Sequence, residues 1–151
     1  MNQSEKKIIG YTQGVYDMFH IGHLNILKRA KEKCDYLIVG VNSDETTFRY
    51  KNKYPVIPEG ERLEIIKSIK YVDKAILVDD VVRVDDSGEM PVYKNFQFDI
   101  LFIGDDHKDD PRWQAVDKYL RKNNSQVYYY PYTKHISSTK LGKVIDEISK
   151  E

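Results

Sequence analysis

Little in this chain can staple it, anchor it or give it a net charge. A single cysteine, Cys34, rules out an internal disulfide, and with no secretory apolar core in residues 1–7 the chain is expected to be cytoplasmic. Long apolar runs are missing too: the longest falls far short of the roughly 20 residues that cross a bilayer, so no membrane association is expected. No sign of charge predominates. The 24 basic residues balance 24 acidic ones, which argues against bulk electrostatic binding of nucleic acid and makes any anion site a local one. No repeat, low-complexity stretch or linker interrupts the 151 residues, a length that suits one domain, 1–151, with one core. Tryptophan occurs once but tyrosine twelve times, and the run Tyr128, Tyr129, Tyr130 is expected on a strand and at a subunit contact.

What is present is an alternation of two periods. Short apolar runs at 8–12 and 36–41 read as buried strands, and further strands are predicted over 72–78, 99–103 and 126–130. Helices are predicted over 23–33, where Leu24, Leu27 and Ala30 share a face, and over 59–70, through Leu63, Ile66 and Ile69. Asp110 and Pro111 open another, with Trp113, Val116 and Leu120 inward, and a last helix starts at Ser137 or Ser138 with Leu141, Val144, Ile145 and Ile148 at helical spacing. Residues 42–53 are polar and read as a loop closed by Pro55 and Pro58. Residues 79–95 carry five acids, Gly88 and Pro91 without a clear period, and read as an excursion with a short helix near its end. Strands alternating with helices predict an α/β fold: a Rossmann-like open, mainly five-stranded parallel sheet with helices on both faces. Its ligands are expected beyond the carboxyl ends of the strands.

At the first such end lies Gly14-Val15-Tyr16-Asp17-Met18-Phe19-His20-Ile21-Gly22-His23. The free amides and positive dipole of a helix start attract phosphate, and Gly22 at the entry allows close approach. His20 and His23, three residues apart, aim at the same anion if the first turn is helical, and a bound dianion would hold them protonated. A His-x-x-His pair also suits zinc, but Cys34, His107 and His135 offer no further ligand at short spacing, so no metal is assigned to the protein. A dinucleotide loop would need Gly-x-Gly-x-x-Gly, which is absent. Isolated histidines at helix starts are ordinarily incidental. Here Gly14, Gly22, the acid Asp17 and the place after the first strand favour a phosphate site.

Three more segments fall at the same edge: Lys51 and Lys53 on the loop after the second strand, Gly104, Asp105 and Asp106 after the fourth, and residues 133–139 after the fifth. The hydroxyls of Ser137, Ser138 and Thr139 at a helix start suit the outer phosphates of a triphosphate. No serine sits on a tight elbow and Cys34 lies in a turn, so the pattern favours direct transfer over a covalent intermediate. A phosphomonoester acceptor, with its second pKa about 6, attacks an α-phosphate without a general base. His20 and His23, then Lys51, are the candidates to stabilise the in-line transition state, with magnesium carried on the β- and γ-phosphates.

His20-Ile21-Gly22-His23 resembles the His-x-Gly-His signature of the nucleotidyltransferase superfamily. From about Tyr11 to about Leu141 the chain is most similar to its cytidylyltransferases, glycerol-3-phosphate cytidylyltransferases in particular. The resemblance implies that His20 and His23 contact the triphosphate, that Lys51 and Lys53 act on the phosphates, and that the protein is a homodimer. It assigns Gly14, Val15, Tyr16, Gly22, Gly104 and Asp105 to the nucleotide, and Asp17 and Lys70 to the acceptor. Lys70-Tyr71-Val72-Asp73-Lys74 stands where the family has Arg-Tyr-Val-Asp-Glu, so the bidentate fork of arginine is lost. The family's Arg-Thr-Glu-Gly-Ile-Ser-Thr-Thr is matched by Tyr132-Thr133-Lys134-His135-Ile136-Ser137-Ser138-Thr139. Thr133, Ile136, Ser137, Ser138 and Thr139 are thereby nucleotide contacts, whereas Tyr132, Lys134 and His135 depart from the motif and leave the choice of cytosine over adenine open. The reading is CMP transfer from CTP to a small phosphorylated alcohol, glycerol 3-phosphate first, as in activated polyols for envelope polymers. The alternatives are ethanolamine phosphate, choline phosphate or another polyol phosphate as acceptor, an adenylyltransferase using ATP on a sugar phosphate or other phosphomonoester, and a catalytically silent nucleotide-binding module.

Overall fold

The computed structural model describes residues 6–131 and 138–149. Strands β1 (Ile9–Gly14), β2 (Tyr36–Asn42), β3 (Lys74–Val78), β4 (Ile100–Gly104) and β5 (Gln126–Tyr130) form one parallel sheet in the order β3-β2-β1-β4-β5. Between and after them come α1 (Ile21–Glu32), α2 (Asp44–Lys51), α3 (Glu59–Lys67), the short α4 (Pro91–Asn95), α5 (Pro111–Lys122) and α6 (Ser138–Ser149). This is the open, doubly covered α/β sheet that the alternation of periods predicts.

Successive side chains of a strand point to opposite faces, and both faces are buried here. Leu37, Val39 and Val41 of β2 pack against Leu27 and Ala30 of α1 and Ile66 of α3. Across the sheet, Tyr11, Ile38, Leu101 and Ile103 pack against Trp113, Val116 and Leu120 of α5. Each such apolar side chain contributes about 1.5–3 kcal/mol by leaving water. Gly10 is required by packing: a Cβ there would come 2.6 Å from Phe102 Cε2 and 2.8 Å from Cys34 Sγ.

The carboxylates of Asp35, Asp99 and Asp73 accept the N–H groups of Ile8, Ile9 and Leu37 at 2.8, 2.8 and 2.7 Å, pinning the amino edge of the sheet. The other edge is left for chemistry. Strand order reverses between β1 and β4, and the register that sets Gly10 beside Ile100 carries Gly14 level with Gly104 at the mouth of that crevice.

Two expectations are corrected. Most of 42–53 is helix α2 and not a loop: Ser43 caps it by accepting the N–H of Thr46 at 3.2 Å, and Thr46 and Thr47, not aliphatic residues, form its buried side. The helix of 59–70 ends at Lys67, with Ser68 as its C-cap. The excursion 79–95 is an integral wall, because its Val82 and Met90 are buried in the α5-side core. Among the described residues no helix is long and apolar enough to cross a membrane.

Candidate active site

The chain leaves β1 through a strained turn. Tyr16 and Met18 hold the left-handed conformation, at φ 55 and 48°, which costs a side-chain-bearing residue about 1–2 kcal/mol. Burial of the Tyr16 side chain helps to fix this turn, which delivers His20 to the N-cap of α1. There the two histidines cap the helix reciprocally. His20 Nδ1 accepts the Gly22 N–H at 3.0 Å, and His23 Nδ1 accepts the His20 N–H at 3.3 Å. Their rings stack at 3.9 Å with 24° between planes, and Tyr16 and Phe19 each lie 5.4 Å from His23.

An imidazole nitrogen that accepts a hydrogen bond carries no proton. In its neutral form each ring therefore keeps its hydrogen on Nε2, a donor held at a helix N-terminus. Burial, above all, lowers the His23 pKa to about 4; His20 and Lys51 add to the effect and Asp17 opposes it. His23 is thus neutral near pH 7 until a phosphate dianion offsets these effects, which refines the expectation of a protonated pair.

The positive charge of Lys51 is one cause of that lowering. Lys51 is the last residue of α2, followed by the left-handed Asn52, so it is held by a helix and not by a mobile loop. Lys53 lies just beyond, exposed. Asp17, expected at the acceptor, also clamps the backbone: its two carboxylate oxygens accept the Val56 and Ile57 N–H groups at 2.8 and 2.9 Å.

Arg62 was not legible as a site residue, because a charged residue on a helix reads as solvated. Its side chain is fully buried. Nε donates to Ile57 O at 2.8 Å, Nη1 to Val15 O at 2.7 Å and Asn42 O at 2.8 Å, and Nη2 to Asp44 Oδ1 at 2.7 Å. One guanidinium thereby ties the strained turn, the end of β2, the start of α2 and the segment before α3, fixing Lys51 relative to the histidines.

Helix α6 packs near the same turn, since a Cβ on Gly142 would meet Met18 Cε at 3.7 Å. Ser138 and Thr139 open that helix, while Thr133, Ile136 and Ser137 lie outside the described residues. Gly14, Val15, Tyr16, Gly22, Gly104 and Asp105 all lie at this carboxyl edge. Lys70 does not: it precedes β3 at the amino edge, its Nζ 5.3 Å over the Tyr71 ring, so its own chain's site lies at the opposite end of the sheet. Among the described residues no group of three or more His, Cys, Asp and Glu is placed to hold a metal ion. Burial raises the Cys34 thiol pKa, which makes it a poor nucleophile.

A family model described as cytidylyltransferase-like matches residues 11–144. The chain belongs to the cytidylyltransferase-like family. It is 32% identical over 150 residues to the FAD synthase of Thermococcus kodakarensis, covering 98% of this chain and 96% of that one. To the glycerol-3-phosphate cytidylyltransferase of Staphylococcus aureus it is 33% identical over 136 residues, covering 90% and 92%. The crystal structure of a lipopolysaccharide core biosynthesis protein from Thermoplasma volcanium superposes with a TM-score of 0.65 at 30% identity, over 87% of this chain and 100% of that one. Within the cytidylyltransferase-like family, then, this chain is a nucleotidyltransferase whose motif histidines close the helix that faces the crevice.

Proposed function

We propose that this nucleotidyltransferase joins CMP from CTP to the phosphate of a small phosphorylated alcohol, glycerol 3-phosphate first, and releases pyrophosphate. The observation that carries the reading is the stacked His20–His23 pair, held as two Nε2–H donors at the amino end of α1 beside Lys51. An acceptor phosphate oxygen attacks the α-phosphorus, the bond to the bridging oxygen breaks, and that oxygen leaves with the electron pair on pyrophosphate. Charge gathers on the α-phosphate and the bridging oxygen as this happens, and donors already fixed around them act mainly in the transition state. Lys51 neutralises the phosphates from the α2 side, and the amides opening α1 and α6 hold the outer ones. Magnesium would be carried by the triphosphate, where it neutralises the leaving group.

The Staphylococcus aureus relative supports CTP and glycerol 3-phosphate. A second reading, AMP transfer from ATP to FMN, draws support from the FAD synthase relative and from Phe48 and Tyr54, an exposed pair stacked at 4.5 Å where a planar ring system could lie beside Lys51. A homodimer is the proposed assembly, consistent with exposed Val144, Ile145 and Ile148 on α6. The test is pyrophosphate release with magnesium, crossing CTP and ATP against glycerol 3-phosphate, ethanolamine phosphate, choline phosphate, ribitol phosphate and FMN. Release with CTP and glycerol 3-phosphate is expected; release only with ATP and FMN replaces the first reading with the second.

A further inference from the structure

Two adjacent hydrogen-bond donors at the start of α5 have no acceptor among the described residues. Trp113 Nε1 and Arg112 Nε are both buried and, among the described residues, neither has a hydrogen-bond partner. Trp113 is 6% exposed. The Arg112 guanidinium lies 4.7 Å over its ring, and the His107 imidazole is 5.8 Å from it. A buried donor left unsatisfied costs about 1–3 kcal/mol, and folded proteins keep few of them. Two on consecutive residues, at a functional edge, call for an occupant.

Their position says which kind. Residues 105–110 lead from the carboxyl end of β4 into α5, so the pair belongs to the same edge of the sheet as His20 and His23. Yet α5 packs on the face opposite α1, where Trp113 shares its core with Val82 and Val84 of the 79–95 excursion. A substrate whose phosphate end lies at His20 reaches this place only with its far end. Both unpartnered atoms are N–H donors, and one belongs to a guanidinium, so the group they take is an acceptor oxygen: a hydroxyl, a carbonyl or a carboxylate.

We propose that Arg112 and Trp113 form a specificity subsite that holds an acceptor oxygen at the far end of a substrate anchored by the histidines. The inference rests on the proposed transfer reaction for its substrates, but binding tests it separately. That oxygen belongs either to the nucleobase or to the non-phosphate end of the acceptor.

Trp113 is the chain's single tryptophan, so its fluorescence reports this subsite directly. CTP, ATP, glycerol 3-phosphate, ribitol phosphate and FMN are titrated one at a time into the intact protein, FMN being followed by Trp lifetime to separate it from inner-filter loss. The expected result is a saturable change with one of them, the nucleotides or the acceptors according to the source of the oxygen. In Arg112→Met and Trp113→Phe, which keep the stem and an aromatic ring, the KM (or Kd) of that compound should rise about tenfold while that of its co-substrate stays within twofold. The proposal is overturned if no compound alters Trp113 emission although nucleotide binding is seen calorimetrically. Equal changes for both substrates in the two variants, or none, overturn it too. Absence of turnover with normal binding would count against the transfer reaction and leave the binding comparison decisive for the subsite.

Discussion

Acidification should remove a defined amount of stability from the site through His23. Its pKa falls from the ordinary 6.5 to about 4 on folding. At 1.36 kcal/mol per pH unit, that gap amounts to about 3 kcal/mol. The sign follows from the direction. Above about pH 7 both folded and unfolded chains hold the ring neutral and the group contributes no pH dependence. As pH falls below 6.5 the unfolded chain takes up a proton that the folded one refuses, so stability is lost, fully so below about pH 4. Protonation of Nδ1 would also break the reciprocal cap with His20. The assay is urea denaturation at several pH values between 7.5 and 4 for the wild type and for His23→Asn, whose amide oxygen can still accept the His20 N–H. The difference between the two proteins should move against the wild type by about 2 kcal/mol at pH 5 and about 3 at pH 4. Parallel curves across that range would refute the burial and charge argument for His23.

Four further outcomes can be checked. Lys51→Met should raise the His23 pKa, read from the imidazole proton resonance, because a positive neighbour is removed, and should lower kcat by roughly 100-fold if Lys51 acts in the transition state. Changing His20 or His23 to Ala should cut turnover far more than nucleotide affinity measured by calorimetry; equal losses would indicate a binding module. Arg62→Met leaves three carbonyls and Asp44 without their buried partner and should cost about 3 kcal/mol in denaturant melts. Gly10→Ala should cost about 1–3 kcal/mol, since the new methyl group meets Phe102 and Cys34 in a closed core.

The sheet was legible because burial on both faces leaves a simple mark. The runs at 36–41 and 126–130 coincide with β2 and β5 to within a residue, and Trp113, Val116 and Leu120 of α5 are buried as their spacing implies. Helix α2 was not legible by the same rule, because Thr46 and Thr47 make its inner side and no aliphatic stripe exists. Its signals were at its ends: Ser43 as cap, Asp44 and Glu45 in the first turn, Arg49 and Lys51 in the last, and Asn52 in the left-handed position. His20 and His23 could be placed from Gly22 and the strand before it. That they cap one another through Nδ1, and so present Nε2, is a matter of side-chain rotation that no spacing encodes. Arg62 was invisible for a similar reason, since three of its four acceptors, on Val15, Asn42 and Asp44, reach it only in the folded chain. That Lys70 lies at the amino edge of its own sheet was not legible either, because a motif alignment does not say which edge a residue reaches.

The fate of the nucleotide's α-phosphorus distinguishes direct transfer from every other reaction at this site. CTP labelled with 32P at the α position, incubated with glycerol 3-phosphate, magnesium and the protein, should give a labelled product that resists phosphatase, alongside unlabelled pyrophosphate. Label released as free nucleotide monophosphate, or no labelled product with any pairing of CTP or ATP and the five acceptors from protein that binds nucleotide, would contradict direct transfer at this site.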